Sequence, residues 1–462
     1  MNSDTDMTAL MAERVRAAAH AGTPLRVRGG GSKDFYGQAL GGEVLDMGAF
    51  AGVNSYEPSE LVVTVRGGTP LAELEALLAE QGQCLPFEPP HFGPNATVGG
   101  MVASGLSGPA RASSGAVRDF LLGVVLLNGK GQCLTFGGQV MKNVAGYDVS
   151  RLMAGTLGTL GVLLEVSLKV LPIAPAEATL MCSGLAQQTA LNLLNRWGGQ
   201  PLPLNASCWV RDETASPAQD FLFIRLRGAV AAVGAAGPRM MADVQAAGGQ
   251  AEPMDNTQAG ADWLACREQS LPFFTQPPSV DDCLWRLSVP QTTPAMDLPY
   301  SPFVEWHGGL RWLWAPASAA AQLRQLAAQA GGHATCFRRS ASTPTDLLVF
   351  TPLSAVQSRI QRELKKQFDP AGIFNPRHGG RRHQQLARVG RQGAGGKQVQ
   401  VGGDILAHHI AQGPGAGDQF AESMAAFQTE KLVEMALAQV SVNEQYALAA
   451  RAQHGGKIGA GK

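Results

Sequence analysis

Two glycine-rich stretches, Arg28-Gly-Gly-Gly-Ser-Lys33 and Ala96-Thr-Val-Gly-Gly-Met-Val-Ala-Ser-Gly105, decide how this chain is understood. Glycine lets a backbone take positive φ and approach a ligand closely, so a cluster of N–H groups in such a loop can cradle an anion. Two such loops together predict one phosphate-bearing cofactor, with a pyrophosphate as the anion. The first follows a short β-type run, Leu25-Arg-Val-Arg28, but no helical pattern comes after it. Gly29, Gly31 and Asp34 miss the G-x-G-x-x-G spacing of a Rossmann turn. The approximate Walker match, Gly456-Lys-Ile-Gly-Ala-Gly-Lys462, lacks the required Ser or Thr.

Working outward, a third segment joins these loops. Val140-Met-Lys-Asn-Val-Ala-Gly-Tyr-Asp148 and Arg151-Leu-Met-Ala-Gly-Thr-Leu-Gly-Thr-Leu-Gly161 lead into the apolar run Val162 to Pro172, giving loop, short helix, glycine turn and strand. In this order the three segments resemble the FAD-binding domain of the vanillyl-alcohol oxidase/PCMH flavoprotein superfamily. More narrowly they are similar to the FAD-binding E subunits of bacterial glycolate oxidases. That resemblance covers roughly residues 1 to 376 and includes Lys142-Asn-Val-Ala-Gly-Tyr-Asp148 and Phe368-Asp-Pro-Ala-Gly-Ile-Phe-Asn-Pro376.

The resemblance implies an α+β chain: a PCMH-type FAD-binding domain of two α/β subdomains over 1–175, and an α+β substrate or cap domain over 176–350. Residues 351–376 would return to the FAD domain. The stretch 377–462 departs from the family, with a low-complexity linker followed by a helix-compatible tail to which no chemistry is assigned. Helix signals at 7–20 and 71–80, and strand signals at 25–28, 43–47, 61–66, 117–127 and 162–170, fit the first domain.

Composition bounds the function. The chain has 462 residues, 45% hydrophobic and 16% charged, enough for a sizeable core in two or three domains. Net charge is +0 and aromatics are 6%, so no polybasic field or stacking platform for nucleic acid is expected. Seven cysteines without C-x-x-C predict reduced thiols, a cytoplasmic location, and neither zinc nor iron–sulfur ligation. The acidic start lacks an apolar h-region and no run reaches about 20 apolar residues, so membrane association is expected to be peripheral at the inner membrane or through a partner.

Site expectations follow. In the first loop Gly29, Gly30 and Gly31 supply backbone donors and Ser32 a hydroxyl, while Arg28 and Lys33 orient the loop or face solvent. The resemblance places Thr97, Gly99, Gly100 and Ser104 along flavin and pyrophosphate, and Gly158, Gly161 and Val162 near the adenine end. Lys142, Asn143, Tyr147 and Asp148, polar groups concentrated in one segment with a glycine, are expected to contact ribose, flavin edge or substrate, and Asn375 joins the cofactor-binding set. Asp148 with Arg151 is equally explained as a helix cap and ion pair, Val162 as packing, and His91 as a loop histidine rather than a flavin attachment point.

In the second domain, Trp285-Arg-Leu-Ser-Val-Pro290 and Glu305-Trp-His-Gly-Gly-Leu-Arg-Trp312 each set an arginine beside large aromatics. A desolvated guanidinium suits a small carboxylate substrate, which makes Arg286 and Arg311 substrate-side candidates. Their alternative is stacking on Trp285, Trp306 or Trp312 within the fold. His307 is the candidate base, since imidazole titrates near ~6.5, although the family usually has glycine there. The His-Gly-Asp-Gly-Asn-type metal motif of related dehydrogenases is missing.

The resemblance thus implies FAD, a small 2-hydroxy acid oxidised by hydride transfer (glycolate to glyoxylate), a second flavoprotein subunit and an iron–sulfur subunit. A non-catalytic FAD-binding assembly subunit and a stand-alone 2-hydroxy-acid dehydrogenase are the alternatives.

Overall fold

The computed structural model describes residues 3–39, 41–138, 148–214 and 216–376. The first helix, Ser3–Ala21, delivers the chain to a parallel pair of strands, Leu25–Arg28 and Glu43–Asp46. The far end of the described chain completes this unit: Leu25 donates its N–H to Ile373 O at 2.8 Å, and Asn375 donates to Leu25 O at 2.9 Å. Val15, Leu25, Leu45, Leu127, Val162 and Phe374 fill the core between them.

The second unit is an antiparallel five-stranded sheet in the order Val53–Glu57, Val62–Arg66, Val162–Lys169, Leu121–Leu127, Cys133–Gly137. Helix Leu71–Glu80 buries Leu71, Leu74 and Leu78 against it. This i, i+3, i+7 stripe contributes about 1.5–3 kcal/mol per leucine. Helix Ala355–Phe368, opened by a Ser354/Gln357 capping box, returns Ile360, Leu364 and Phe368 to the same core. The expected strand at 117–127 begins later. Val117–Phe120 is one helical turn, because the Asp119 carboxylate accepts the N–H of Ala116 at 2.8 Å and holds the chain coiled.

From Ala176 the chain enters an eight-stranded, wholly antiparallel sheet. Its order is Gln250–Pro253, Ala176–Ser183, Gln219–Gly228, Leu204–Asp212, Phe303–Glu305, Leu310–Pro316, Asp282–Ser288, His333–Arg338. Alternate residues point to opposite faces. Leu284, Trp312 and Phe337 therefore join one cluster and Trp285, Leu287 and Leu313 another. The mixed helix and sheet content is that of an α+β fold.

Two carboxylates tie the sheets together. Glu88, from the chain before Ala176, accepts from Arg225 Nη2 at 2.7 Å and Arg227 Nη1 at 2.8 Å. Burial pushes the Glu88 carboxyl up, but the two guanidiniums outweigh it and hold it below the ordinary range. Glu268, from the region of the eight-stranded sheet, accepts the N–H groups of His91 and Phe92, the latter at 2.8 Å.

Candidate functional site

A groove runs between the two small units of the first domain, where both glycine loops and the turn at 157–161 converge with Asn375. The loops touch. A Cβ on Gly29 would lie 2.2 Å from Thr97 Oγ1, and one on Gly30 would lie 1.5 Å from Asn95 O. Gly31 has φ +74°, with Arg28 Nη2 only 2.0 Å from where a Cβ would sit. Glycine is thus required at 29 and 30 by the approach of one loop to the other, and at 31 by the positive φ of the turn.

Among the described residues, the N–H groups of Gly29, Gly30, Gly31 and Ser32 have no protein acceptor. Successive unpaired donors facing a groove form an anion nest. Its charge agrees. Arg26, Arg28 and Lys33 line the groove with a single carboxylate, Asp34, which Arg26 and Arg28 both bind. Lys33 Nζ is held by His91 O at 3.1 Å, and burial pulls its pKa down to about 8 against the opposing attraction of Glu268.

In the second loop Thr97 caps helix Val98–Ser104, its Oγ1 accepting from Gly100 N at 3.2 Å. Gly99 spends its N–H on Gly67 O at 2.7 Å, so it supplies close packing rather than a donor. Ser104 and Gly161 line the groove. Gly158 does so with φ +68°. Asn375 does so while spending its amide on Leu157 O, at 2.7 Å, and on Val27 N, at 2.9 Å.

Asp148 and Val162 are placed elsewhere. Asp148 caps helix Val149–Leu152 through Arg151 N and pairs with Arg151 Nε at 2.8 Å. Val162 is wholly buried in the core beneath the first helix. Lys142, Asn143 and Tyr147 lie outside the described residues. His91 Nε2 meets Glu75 Oε2 at 2.9 Å, and the residue does not line the groove.

Tyr36 is the link to the second domain. It lines the groove and hydrogen-bonds the Arg286 guanidinium. Arg286 belongs to a second, smaller pocket between the domains, walled by Phe92, Leu106, Trp306 and Phe337. Its guanidinium carbon lies 5.1 Å from the ring centre of Trp306, whose ring also meets Arg111 at 4.5 Å. Burial lowers the Arg286 pKa.

The two candidate arginines are on opposite faces of the sheet. Strand pairing sets Arg286 opposite Trp312 and Leu287 opposite Arg311. Arg311 is fully buried on the far side, donating to Thr293 O at 2.7 Å and Gly308 O at 3.4 Å. Its surroundings are those of a structural clamp on two carbonyls.

His307 also lies off the pocket wall. Its Nδ1 meets Ser207 Oγ at 2.8 Å and its Nε2 meets Ser113 Oγ at 3.0 Å. Burial pulls its pKa down to about 4, so it is neutral. Its φ of +55° is left-handed backbone, which favours glycine.

Glu305 was not singled out from the sequence, although it opens the quoted 305–312 run; a carboxylate between Val304 and Trp306 on an apolar strand was the available signal. Its carboxylate lines the pocket and accepts from Trp312 Nε1 at 2.6 Å and Cys266 Sγ at 3.3 Å. Burial pushes its pKa up to about 7 against the pull of those donors and of Arg286. Tyr36, Asp34 and Gln269 carried no sequence signal.

Comparison with known proteins accords with this geometry. A family model for the FAD binding domain matches residues 7–137. Glycolate oxidase subunit GlcE of Escherichia coli (strain K12) is 43% identical over 376 residues, 81% of this chain and 98% of that protein. A mitochondrial D-lactate dehydrogenase [cytochrome] of Arabidopsis thaliana is 31% identical over 157 residues, 33% of this chain and 27% of that one. An alkyldihydroxyacetonephosphate synthase shares the fold with TM-score 0.57 at 16% identity, covering 79% of this chain and 74% of its own.

Fold and groove together define a PCMH-type flavoprotein oxidoreductase whose cofactor is FAD. Within that class, the chain belongs to the GlcE family of glycolate oxidase subunits. No helix among the described residues is long and apolar enough to cross a membrane, and no cluster of metal-ligating side chains occurs among them.

Proposed function

We propose that this chain is the FAD-binding subunit of a glycolate-oxidising complex and that it converts glycolate to glyoxylate itself. The N–H run of Gly29 to Ser32 would hold the FAD pyrophosphate, with Arg28 and Lys33 supplying positive charge. Thr97, Gly99, Gly100 and Ser104 shape the flavin side, and Gly158, Gly161 and Asn375 shape the adenine side. FAD, when bound, supplies the two-electron acceptor for a hydride leaving the carbinol carbon.

The chain's own residues bind, orient and dry the substrate. Arg286 clamps the carboxylate with charge-assisted hydrogen bonds, in a pocket whose aromatic walls exclude water. The observation that carries this reading is Tyr36, which lines the groove and hydrogen-bonds a buried arginine in the neighbouring pocket. Electrons then pass to an iron–sulfur subunit, with a second flavoprotein subunit completing a complex held peripherally at the cytoplasmic face of the membrane.

Anaerobic glycolate titration of the purified full chain, followed in the visible flavin bands, tests the reading. Bleaching is the expected result. Bands that persist would move glycolate oxidation to a partner and leave this chain an FAD-binding assembly subunit.

A further inference from the structure

The inter-domain pocket contains more unpaired polarity than packing explains. Arg286 Nε is a buried donor without an acceptor, and Gln269 Oε1 is a buried acceptor without a donor. Both line the pocket with Glu305. Among the described residues, no ion pair within 4.0 Å joins Glu305 to Arg286, although each acts on the other's charge across the pocket. Buried groups left in this state are rare in folded proteins and call for a partner. A small 2-hydroxy acid offers an acceptor to Arg286 and a hydroxyl to a carboxylate.

We infer that Glu305 is the general base of this site, taking the hydroxyl proton of a 2-hydroxy acid whose carboxylate is held by Arg286. This rests on the proposed function above. In the step, the C–H bond at the carbinol carbon breaks with its electron pair leaving as hydride to the oxidised flavin. The O–H bond breaks with its proton passing to the Glu305 carboxylate, and the C–O bond becomes C=O. Substrate loses two electrons and two hydrogens.

Trp312 Nε1 and Cys266 Sγ fix the carboxylate's orientation, as a positioned base requires. Of the titratable groups around it, Arg286 draws a proton off and Glu88 opposes that. The Cys208 and Cys266 thiols stay protonated, held well above their usual range by burial and by Glu305 itself. Arg267 also lines the pocket but is committed to Glu75 and Glu268. Glu305 is therefore the group here that titrates near neutrality, with a pKa of about 7.

The experiment uses the FAD-loaded full chain and oxalate, a dicarboxylate that cannot be oxidised by hydride loss. Oxalate affinity, read from the flavin spectrum, should rise as pH falls from 8 through about 7 to 6, as Glu305 takes up a proton. In Glu305→Gln, whose amide oxygen can still accept from Trp312, that pH dependence should vanish while oxalate still binds. Reduction by glycolate should slow by about 10²-fold or more, the lower end of what a general base contributes. Arg286→Met should weaken oxalate by about 10-fold or more, the equivalent of one lost charged hydrogen bond.

Wild-type oxalate affinity that does not change with pH would overturn the assignment without any variant. So would a Glu305→Gln protein reduced at the wild-type rate. Flavin that responds to neither glycolate nor oxalate would refute the proposed function, and this base with it.

Discussion

At the scale of the residue, the glycines of the first loop pack against the second loop as well as presenting the N–H nest that their pattern suggested. The sequence points to space for phosphate, whereas the backbone of the second loop already occupies the Cβ position of Gly30, with Asn95 O at 1.5 Å. Gly30→Ala should therefore part the loops, lowering stability by about 1–3 kcal/mol in urea melts of the apoprotein and losing FAD together with it. A Cβ on Gly100 meets only Thr97 Oγ1, at 3.1 Å. Gly100→Ala should keep apoprotein stability within about 1 kcal/mol while lowering the flavin-to-protein absorbance ratio. A Gly30→Ala protein that melts and loads like wild type would contradict the loop contact.

At the scale of the element, the pairing of strands Asp282–Ser288 and Leu310–Pro316 separates two arginines that look equivalent in the sequence. Each is flanked by tryptophan, and each sits in a strand-like run. Cross-strand partners share a face, so Arg286 joins Trp312 above the sheet and Arg311 joins Leu287 below it. Below the sheet Arg311 satisfies two main-chain carbonyls. Arg311→Met leaves Thr293 O and Gly308 O without their donor, and thermal and urea unfolding should show a loss of about 2–3 kcal/mol. A neutral effect on unfolding would remove the clamp. A similar division occurs in the return segment. Its Asn-Pro signature is visible in the sequence, but the buried Asp369 that accepts from Ile373 N and Phe374 N, and from Lys365 Nζ at 2.6 Å, became apparent only once the helix and turn were folded together.

At the scale of the whole molecule, the two sheets are joined through Glu88, and this makes their association sensitive to acid. The folded carboxyl is held below its ordinary value by Arg225 and Arg227. Its stabilisation is thus present above the unfolded pKa of about 4.5 and is lost as pH falls through the lower folded value. Glu88→Gln should cost about 3–5 kcal/mol at neutral pH, because the buried Arg225 loses its counter-charge and Arg227 keeps only Glu177. The difference between variant and wild type should shrink on acidification below about pH 4.5, which denaturant melts between pH 3 and 7 would register. A pH-independent difference would assign the bridge no electrostatic role.

What the sequence determined alone was local: glycine runs, the helical stripe of Leu71, Leu74 and Leu78, and the apolar strand from Val162 each announce their own backbone. Those signals, with the family resemblance, were enough for the α+β class and for FAD. What the tertiary structure decided was which chemistry faces which cavity. Arg286 and Arg311 are distinguished by strand register, His307 is occupied by serines from two distant segments, and Glu305 acquires its raised pKa from burial beneath residues remote in the chain. Desolvation and cross-strand facing depend on three-dimensional neighbours, and a linear pattern carries no record of them.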